Sequence, residues 1–405
     1  MFYRGILNLC ALLLGILLAS GMLEVALRIY NPVFQTVKSG KVVLRANYDE
    51  TRKNDKPGVA PQVHIHNNAI GFRGEDPPPD SEDRLSVVTV GGSTTRGALQ
   101  SDEGTWTALF GRELRRCFNR VWINNAGFDG HTSFAHLQLI RNYIVGLHPK
   151  MVVMLIGAND ATSSYFAAGA NDMTPWDRET VVGDLNFDAG AKGFIKSLSN
   201  RSELVSLSLT LYRSLLATMV GSGYDYVDWA KLPELSRPPV IAASRACSTC
   251  GDEAYLAAAR QHQHAYEDRL RLLVRLLRDA EILPVLMTQP TPCGFAKDPT
   301  TGKDLSRLPE CLFRYQLYEI YNDTMRYVAK NEGVFLIDLS RTMPKDTKYY
   351  WDYMHYTDAG AKELAKVVTT ALVPYIASNF LSYLKADCQE VLADEPSRSP
   401  TGDSP

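Results

Sequence analysis

Several common signatures are missing from this chain. There is no Gly-x-Ser-x-Gly elbow, because the serine after Gly91-Gly92 is followed two places on by Thr95. There is no Gly-Lys-[Ser/Thr] phosphate loop and no dinucleotide glycine fingerprint, so nucleotide chemistry of those kinds is excluded. Neither sign of charge dominates. Lys and Arg total 43 against 45 Asp and Glu, a net charge of -2, whereas a nucleic-acid binder carries a basic face. Internal repeats are absent. Long apolar runs are nearly so, with one exception at the N-terminus.

Histidine and cysteine are sparse, with 8 and 7 copies. Cys10 lies in the apolar run, which leaves Cys117, Cys247, Cys250, Cys293, Cys311 and Cys388. An even set suits disulfides in an oxidising compartment, and the connectivity is not readable from sequence. A zinc site is the weaker reading, since only Cys247 and Cys250 have CxxC spacing and no histidine lies near. His64 and His66 would share one face of a strand, a metal-capable spacing. Without acidic or cysteine neighbours in sequence, an exposed edge segment is the expectation there.

The exception is residues 5–23, an uncharged run that would reach about 28 Å as a helix, close to the roughly 30 Å hydrocarbon thickness. It reads as an uncleaved transmembrane signal anchor, because apolar spacing continues through Val25, Ala26, Leu27 and Ile29. A cleaved signal peptide is the rival, with Ala19-Ser20-Gly21 as its cleavage site. Arg28, Lys38 and Lys41 oppose Arg4 under the positive-inside rule, yet large domains translocate despite such charges. The cysteines favour a cell-membrane protein, single-pass, with an extracytoplasmic, periplasmic domain.

Residues 24–82 read as a juxtamembrane connector, polar and Pro-rich, with Asp76-Pro-Pro-Pro-Asp80 as stiff punctuation. Asn68–Gly74 reads as a turn-rich segment packing onto the domain C-terminal to it. Residues 83–384 then alternate strands and helices, the pattern of a parallel α/β sheet. Strands are expected near 85–90, 121–126, 151–156, 282–288 and 334–339. Helices are expected near 104–118, 133–147, 252–280, 313–331 and 358–379, the last capped by Thr357. Residues 161–251 break the rhythm and read as an insertion at the ligand-binding edge of the sheet, a substrate-shaping cap. Residues 385–405 read as a disordered acidic tail.

Four short motifs fall at the C-terminal ends of these strands, which a parallel sheet brings to one rim. Ser93 follows two glycines at a strand-turn-helix junction, the placement acyl transfer needs. His355 can take the Ser93 proton, and Asp352, three residues earlier, can orient the imidazole. The N–H groups of Ser93 and Gly130, with the Asn159 amide, can form an oxyanion hole. Singly each signal is weak; their order and placement together carry the specificity.

Gly91-Gly92-Ser93-Thr94, Asn125–Gly130, Gly157-Ala158-Asn159-Asp160 and Asp352-Tyr353-Met354-His355 resemble the four consensus blocks of the SGNH/GDSL hydrolases, in order, over residues 84–380. The resemblance implies a flavodoxin-like three-layer α/β/α fold. It implies Ser93 as nucleophile, Asp352 and His355 as its triad partners, and Gly130 and Asn159 as oxyanion donors. The N-terminal anchor and Glu24–Arg28 look like the membrane-tethered members, several of which act on acyl groups of cell-surface glycans. The expected function is therefore a serine esterase or O-acyltransferase acting on an acylated glycan or small ester. It needs no metal or organic cofactor and no nucleic acid; protein partners are not legible. A catalytically silent carbohydrate-binding or assembly protein is the alternative. Two positions depart from the blocks: Gly92 where an aspartate is usual, and Tyr356 where proline is frequent.

Overall fold

The computed structural model describes residues 2–30, 37–38, 41–54, 56–167, 198, 201–208, 211, 226–235 and 252–388. The chain divides into two compact units, residues 1–45 with 173–223, and residues 46–172 with 224–405.

In the first unit, α1 spans Phe2–Ile29. Its Tyr3–Ile29 stretch is long and apolar enough to cross a membrane, and its leucines from Leu7 to Leu23 are exposed. One polar joint lies near its end. The Glu24 carboxylate accepts from Ser202 Oγ at 2.9 Å and from the amides of Glu203 and Leu204 at 3.0 and 3.1 Å. Arg28 Nη2 donates to Arg201 O at 3.0 Å. A carboxylate on the free N–H groups of a helix start is the favoured pairing. Glu24 thus caps the helical residues 203–208 from a distance in sequence.

The second unit holds an eight-stranded sheet. Its strands are β1 Tyr48–Lys53, β2 Gln62–Asn67, β3 Arg73–Gly74, β4 Leu85–Gly91, β5 Val121–Gly127, β6 Met151–Leu155, β7 Leu283–Met287 and β8 Phe335–Ile337. The order across the sheet is β8-β7-β6-β4-β5-β3-β2-β1. The five strands β4 to β8 are parallel, with Val88 level with Asn124 and Val152. Their order, second-first-third-fourth-fifth, is the flavodoxin-like one. Among the described residues, its helices include α2 Ser93–Arg96, α3 Trp106–Cys117, α4 Ser133–Leu139, α5 Ala158–Ala167, α6 Asp252–Asp279, α7 Cys311–Glu332 and α8 Asp358–Asn379. The stretch expected as one helix over 133–147 is interrupted by a wider π turn at Ile140–Ile144.

The two faces of the parallel strands are both apolar, as covered parallel strands require. Val87, Met151, Val153, Val285 and Met287 pack with Trp106, Phe110 and Leu114 of α3 and Leu364, Val368 and Leu372 of α8. The opposite face carries Val88, Val90, Val152 and Leu286, all fully buried. Spacing of four in Trp106, Phe110 and Leu114 puts all three on one side of α3. Thr357 caps α8 as its position suggests, its side chain accepting from Gly360 N.

Two boundaries differ from the sequence reading. Residues 48–74 are not a connector: β1, β2 and β3 extend the sheet antiparallel beyond β5. β1 is polar and half-exposed along its length, an edge strand without an apolar signature. β2 does alternate, burying Val63 and Ile65 and turning His64 outward. His66 Nδ1 lies 2.8 Å and His64 Nε2 3.9 Å from Asp49 Oδ1 across the ladder, and among the described residues no group fit to hold a metal ion forms there. Residues 385–388, expected in the tail, belong to the fold, because Cys388 is bonded to Cys117 of α3. Cys293 pairs with Cys311, and Cys10 is free. Cys247, Cys250, most of the 161–251 insertion and residues 389–405 lie outside the described residues.

Candidate active site

β4 runs straight into the tightest point of the rim. A Cβ on Gly91 would sit 2.5 Å from Leu155 O and closer still to Thr95 Oγ1, so only glycine fits. Gly92 caps α2, a single turn that opens with Ser93. The serine is largely buried but its Oγ faces the rim.

His355 reaches that hydroxyl from the loop before α8. Its Nε2 is 2.7 Å from Ser93 Oγ, and its Nδ1 is 2.6 Å from Asp352 Oδ2. Asp352 Oδ1 accepts the backbone amides of Met354 and His355 at 2.8 and 2.7 Å. The carboxylate is acceptor-only, so Nδ1 carries the proton and Nε2 presents a lone pair to the Ser93 hydroxyl. Burial pushes the Asp352 carboxyl up, but the His355 charge and the hydrogen bonds from His355 and Met354 hold it below the ordinary carboxylate range. Burial works against the imidazolium, yet the Asp352 charge and hydrogen bond raise His355 above its ordinary value.

The oxyanion candidates sit on the other side of Ser93. Asn159 is in the first turn of α5, and its Nδ2 donates to His131 O at 2.8 Å. A Cβ placed on Gly92 would lie 2.5 Å from that Nδ2. Gly130, at a left-handed φ of 74°, immediately precedes His131 in the turn after β5. Phe128 N donates to Gly91 O at 3.0 Å, which ties this turn to the end of β4. Asp160, next to Asn159, accepts from Ser133 N at 2.9 Å and pairs with Arg269 of α6 at 3.3 Å. His131 and His136 are fully buried behind the turn; desolvation, helped by Arg96, drops His131 to about 3, and His136 falls well below its ordinary value. Both are therefore neutral near pH 7.

The structure thus brings Ser93, Asp352 and His355 into one chain of hydrogen bonds, with Asn159 against Gly92 and Gly130 one residue from the Asn159 partner. It also shows supporting residues that the sequence did not reveal. Trp106 Nε1 donates to Thr94 O at 3.2 Å, Asn125 Nδ2 to Thr95 O at 2.7 Å, and Arg73 Nη1 to Arg96 O at 2.6 Å. The carbonyls at the end of α2, which have no partner within the helix, are thereby satisfied. Residues 226–235 of the insertion brace the histidine loop. Trp229 packs edge-on to Tyr353 with centroids 5.3 Å apart, its Nε1 donates to Tyr350 O, and Val227 N donates to Trp351 O. These contacts join residues over a hundred positions apart, and only the isolated tryptophan in a polar stretch hinted at them.

A small cavity opens beside Ser93 and His355, about 10 Å³, walled by Thr94, Gly97, Ala98, Leu99, Gln100 and Tyr356. That is space for roughly one water-sized group.

No curated protein matches the chain. Among solved structures it is similar to LAE5, described as an alpha/beta hydrolase enzyme from the metagenome of Lake Arreo, at 17% identity, TM-score 0.37, covering 71% of this chain and 94% of that one. It is similar to the acetylxylan esterase Axe2 from Geobacillus stearothermophilus at 15% identity, TM-score 0.38, with coverage of 71% and 94%. It is also similar to the acetyl xylan esterase AlAXEase at 12% identity, TM-score 0.37, with coverage of 71% and 100%. Residues 89–226 match the model of the GDSL-like lipase/acylhydrolase family, a span that includes Ser93, Gly130 and Asn159.

Proposed function

We propose that the protein is a membrane-anchored serine esterase or O-acyltransferase that works through an acyl-serine on Ser93. The observation that carries this reading is the unbroken run Ser93 Oγ, His355 Nε2, His355 Nδ1, Asp352 Oδ2, with links of 2.7 and 2.6 Å. Ser93 Oγ attacks the ester carbonyl while His355 takes its proton. Asp352 stabilises the imidazolium that results. The amide of Asn159 and the N–H groups of Ser93 and Gly130 hold the oxyanion. His355 then returns the proton to the leaving alkoxide. Water, or a sugar hydroxyl, enters by the same steps in reverse and removes the acyl group.

The small cavity at Ser93 supports a short acyl group, acetyl above all. The glycan acceptor or donor follows the resemblance to membrane-tethered members. The anchor reading follows α1, with the cysteine pairs supporting an extracytoplasmic site. The test uses the full chain in detergent, a fluorophosphonate probe and p-nitrophenyl esters. Expected are labelling at Ser93, lost in Ser93→Ala, and turnover of the acetate well above the octanoate. Absence of both labelling and acetate turnover would sink the enzyme and leave a binding protein. Comparison of acetate release with acetyl transfer to a glycan separates esterase from transferase.

A further inference from the structure

We propose that Arg73 is a positioning residue for the reaction assigned to Ser93, acting through the loop that walls the site; the inference rests on that assignment. Arg73 lies on β3, the short antiparallel strand beside β5, and its side chain is 3% exposed. Its guanidinium makes four hydrogen bonds, all to one loop. Nη1 donates to Arg96 O at 2.6 Å and Gly97 O at 2.8 Å, Nη2 to Gln100 O at 2.9 Å, and Nε to Asp102 Oδ1 at 2.7 Å. The planar fork fixes three carbonyls and a carboxylate in one geometry, which an ammonium cannot do. Asp102 is held from a second direction by His66 N at 2.8 Å.

The loop so fixed joins the two segments that carry the reacting side chains. It begins at the last residue of α2, whose first residue is Ser93. It ends at Gln100, whose Nε2 donates 2.8 Å to Tyr356 O, the residue after His355. Arg73 therefore sets the spacing between the turn that carries the serine and the loop that carries the histidine. Neither Arg73 nor Gln100 is assigned contact with the reacting atoms. Displacements near 1 Å at reacting centres cost about a hundredfold in rate.

Arg73→Lys in the full chain keeps the charge and loses the fork. The readouts are the fraction of molecules that take up the fluorophosphonate, the rate constant of that reaction per reactive site, kcat and KM for p-nitrophenyl acetate, and the thermal midpoint. Expected is an unchanged labelled fraction with a per-site rate and kcat lower by about 10- to 100-fold, and KM within about twofold. A fall in labelled fraction and midpoint with the wild-type per-site rate means a purely structural arginine and overturns the proposal, as does wild-type behaviour throughout. Gln100→Leu, which removes the side-chain links to Tyr356 and Asp358 and leaves the Arg73 bonds to the main chain in place, is the second variant; the wild-type per-site rate there also overturns it. If the wild-type chain itself takes up no probe at Ser93, the functional assignment has failed, and the Arg73 proposal falls with it.

Discussion

Gly92→Ala is the most informative single change in this site. Gly92 has φ -81°, outside the left-handed region that favours glycine. The direct effect is the contact made by the added methyl. That methyl would stand 2.5 Å from Asn159 Nδ2, where an ordinary contact needs about 3.5 Å. The amide must therefore retreat by about 1 Å, and its bond to His131 O is lost or stretched. Stability should fall by only about 1 kcal/mol, the worth of one hydrogen bond. The rate should fall far more. Loss of one oxyanion donor costs about 10²–10³-fold in kcat, roughly 2.7–4 kcal/mol. The assay is kcat for p-nitrophenyl acetate on the full chain, with thermal unfolding in parallel. A double-mutant cycle isolates the route: once Asn159→Ala has removed the amide, adding Gly92→Ala should cost almost nothing further. Wild-type kcat in Gly92→Ala, or full additivity in the cycle, would refute the geometry.

Other outcomes concern the same site and the disulfides. Ser93→Ala and His355→Ala should each lose turnover while unfolding at nearly the wild-type temperature, and full activity in His355→Ala would break the triad assignment. His355 must be neutral to accept the serine proton, and its pKa is raised, so kcat/KM should climb with pH through a midpoint above the ordinary value of about 6.5. Asp352→Asn should move that midpoint down and cut the rate on the order of 10⁴-fold; an unmoved midpoint counts against the pairing. By linkage, His355 contributes stability at low pH that is lost as pH rises through its folded value, and Asp352 contributes stability at high pH that is lost as pH falls through its own. Cys117 and Cys388 enclose a loop of 271 residues and Cys293 and Cys311 one of 18. Chain entropy then gives about 5–6 and about 3 kcal/mol, so Cys388→Ser should lower the urea midpoint more than Cys311→Ser does.

The parallel strands were legible because each is a short, largely apolar run, and the motifs after β4, β5 and β6 told which residues share a rim. The histidine loop was legible because Asp352 and His355 lie three residues apart. Legibility failed where the physics is not periodic. β1, Tyr48–Lys53, is an edge strand of polar residues and looks like linker. Arg73 works through main-chain carbonyls of Arg96, Gly97 and Gln100, and a carbonyl has no residue identity to read. The partner of Cys388 was equally hidden, since six cysteines allow many pairings.

The Glu24 joint makes residue 24 a poor place to cut. A soluble fragment beginning at residue 25 or later would keep residues 203–208 but strip the carboxylate that satisfies Ser202, Glu203 and Leu204. The first turn of that helix would then fray. An expression boundary at residue 22 or 23 keeps the cap while discarding most of the apolar helix, and it is the boundary from which a detergent-free preparation should be sought.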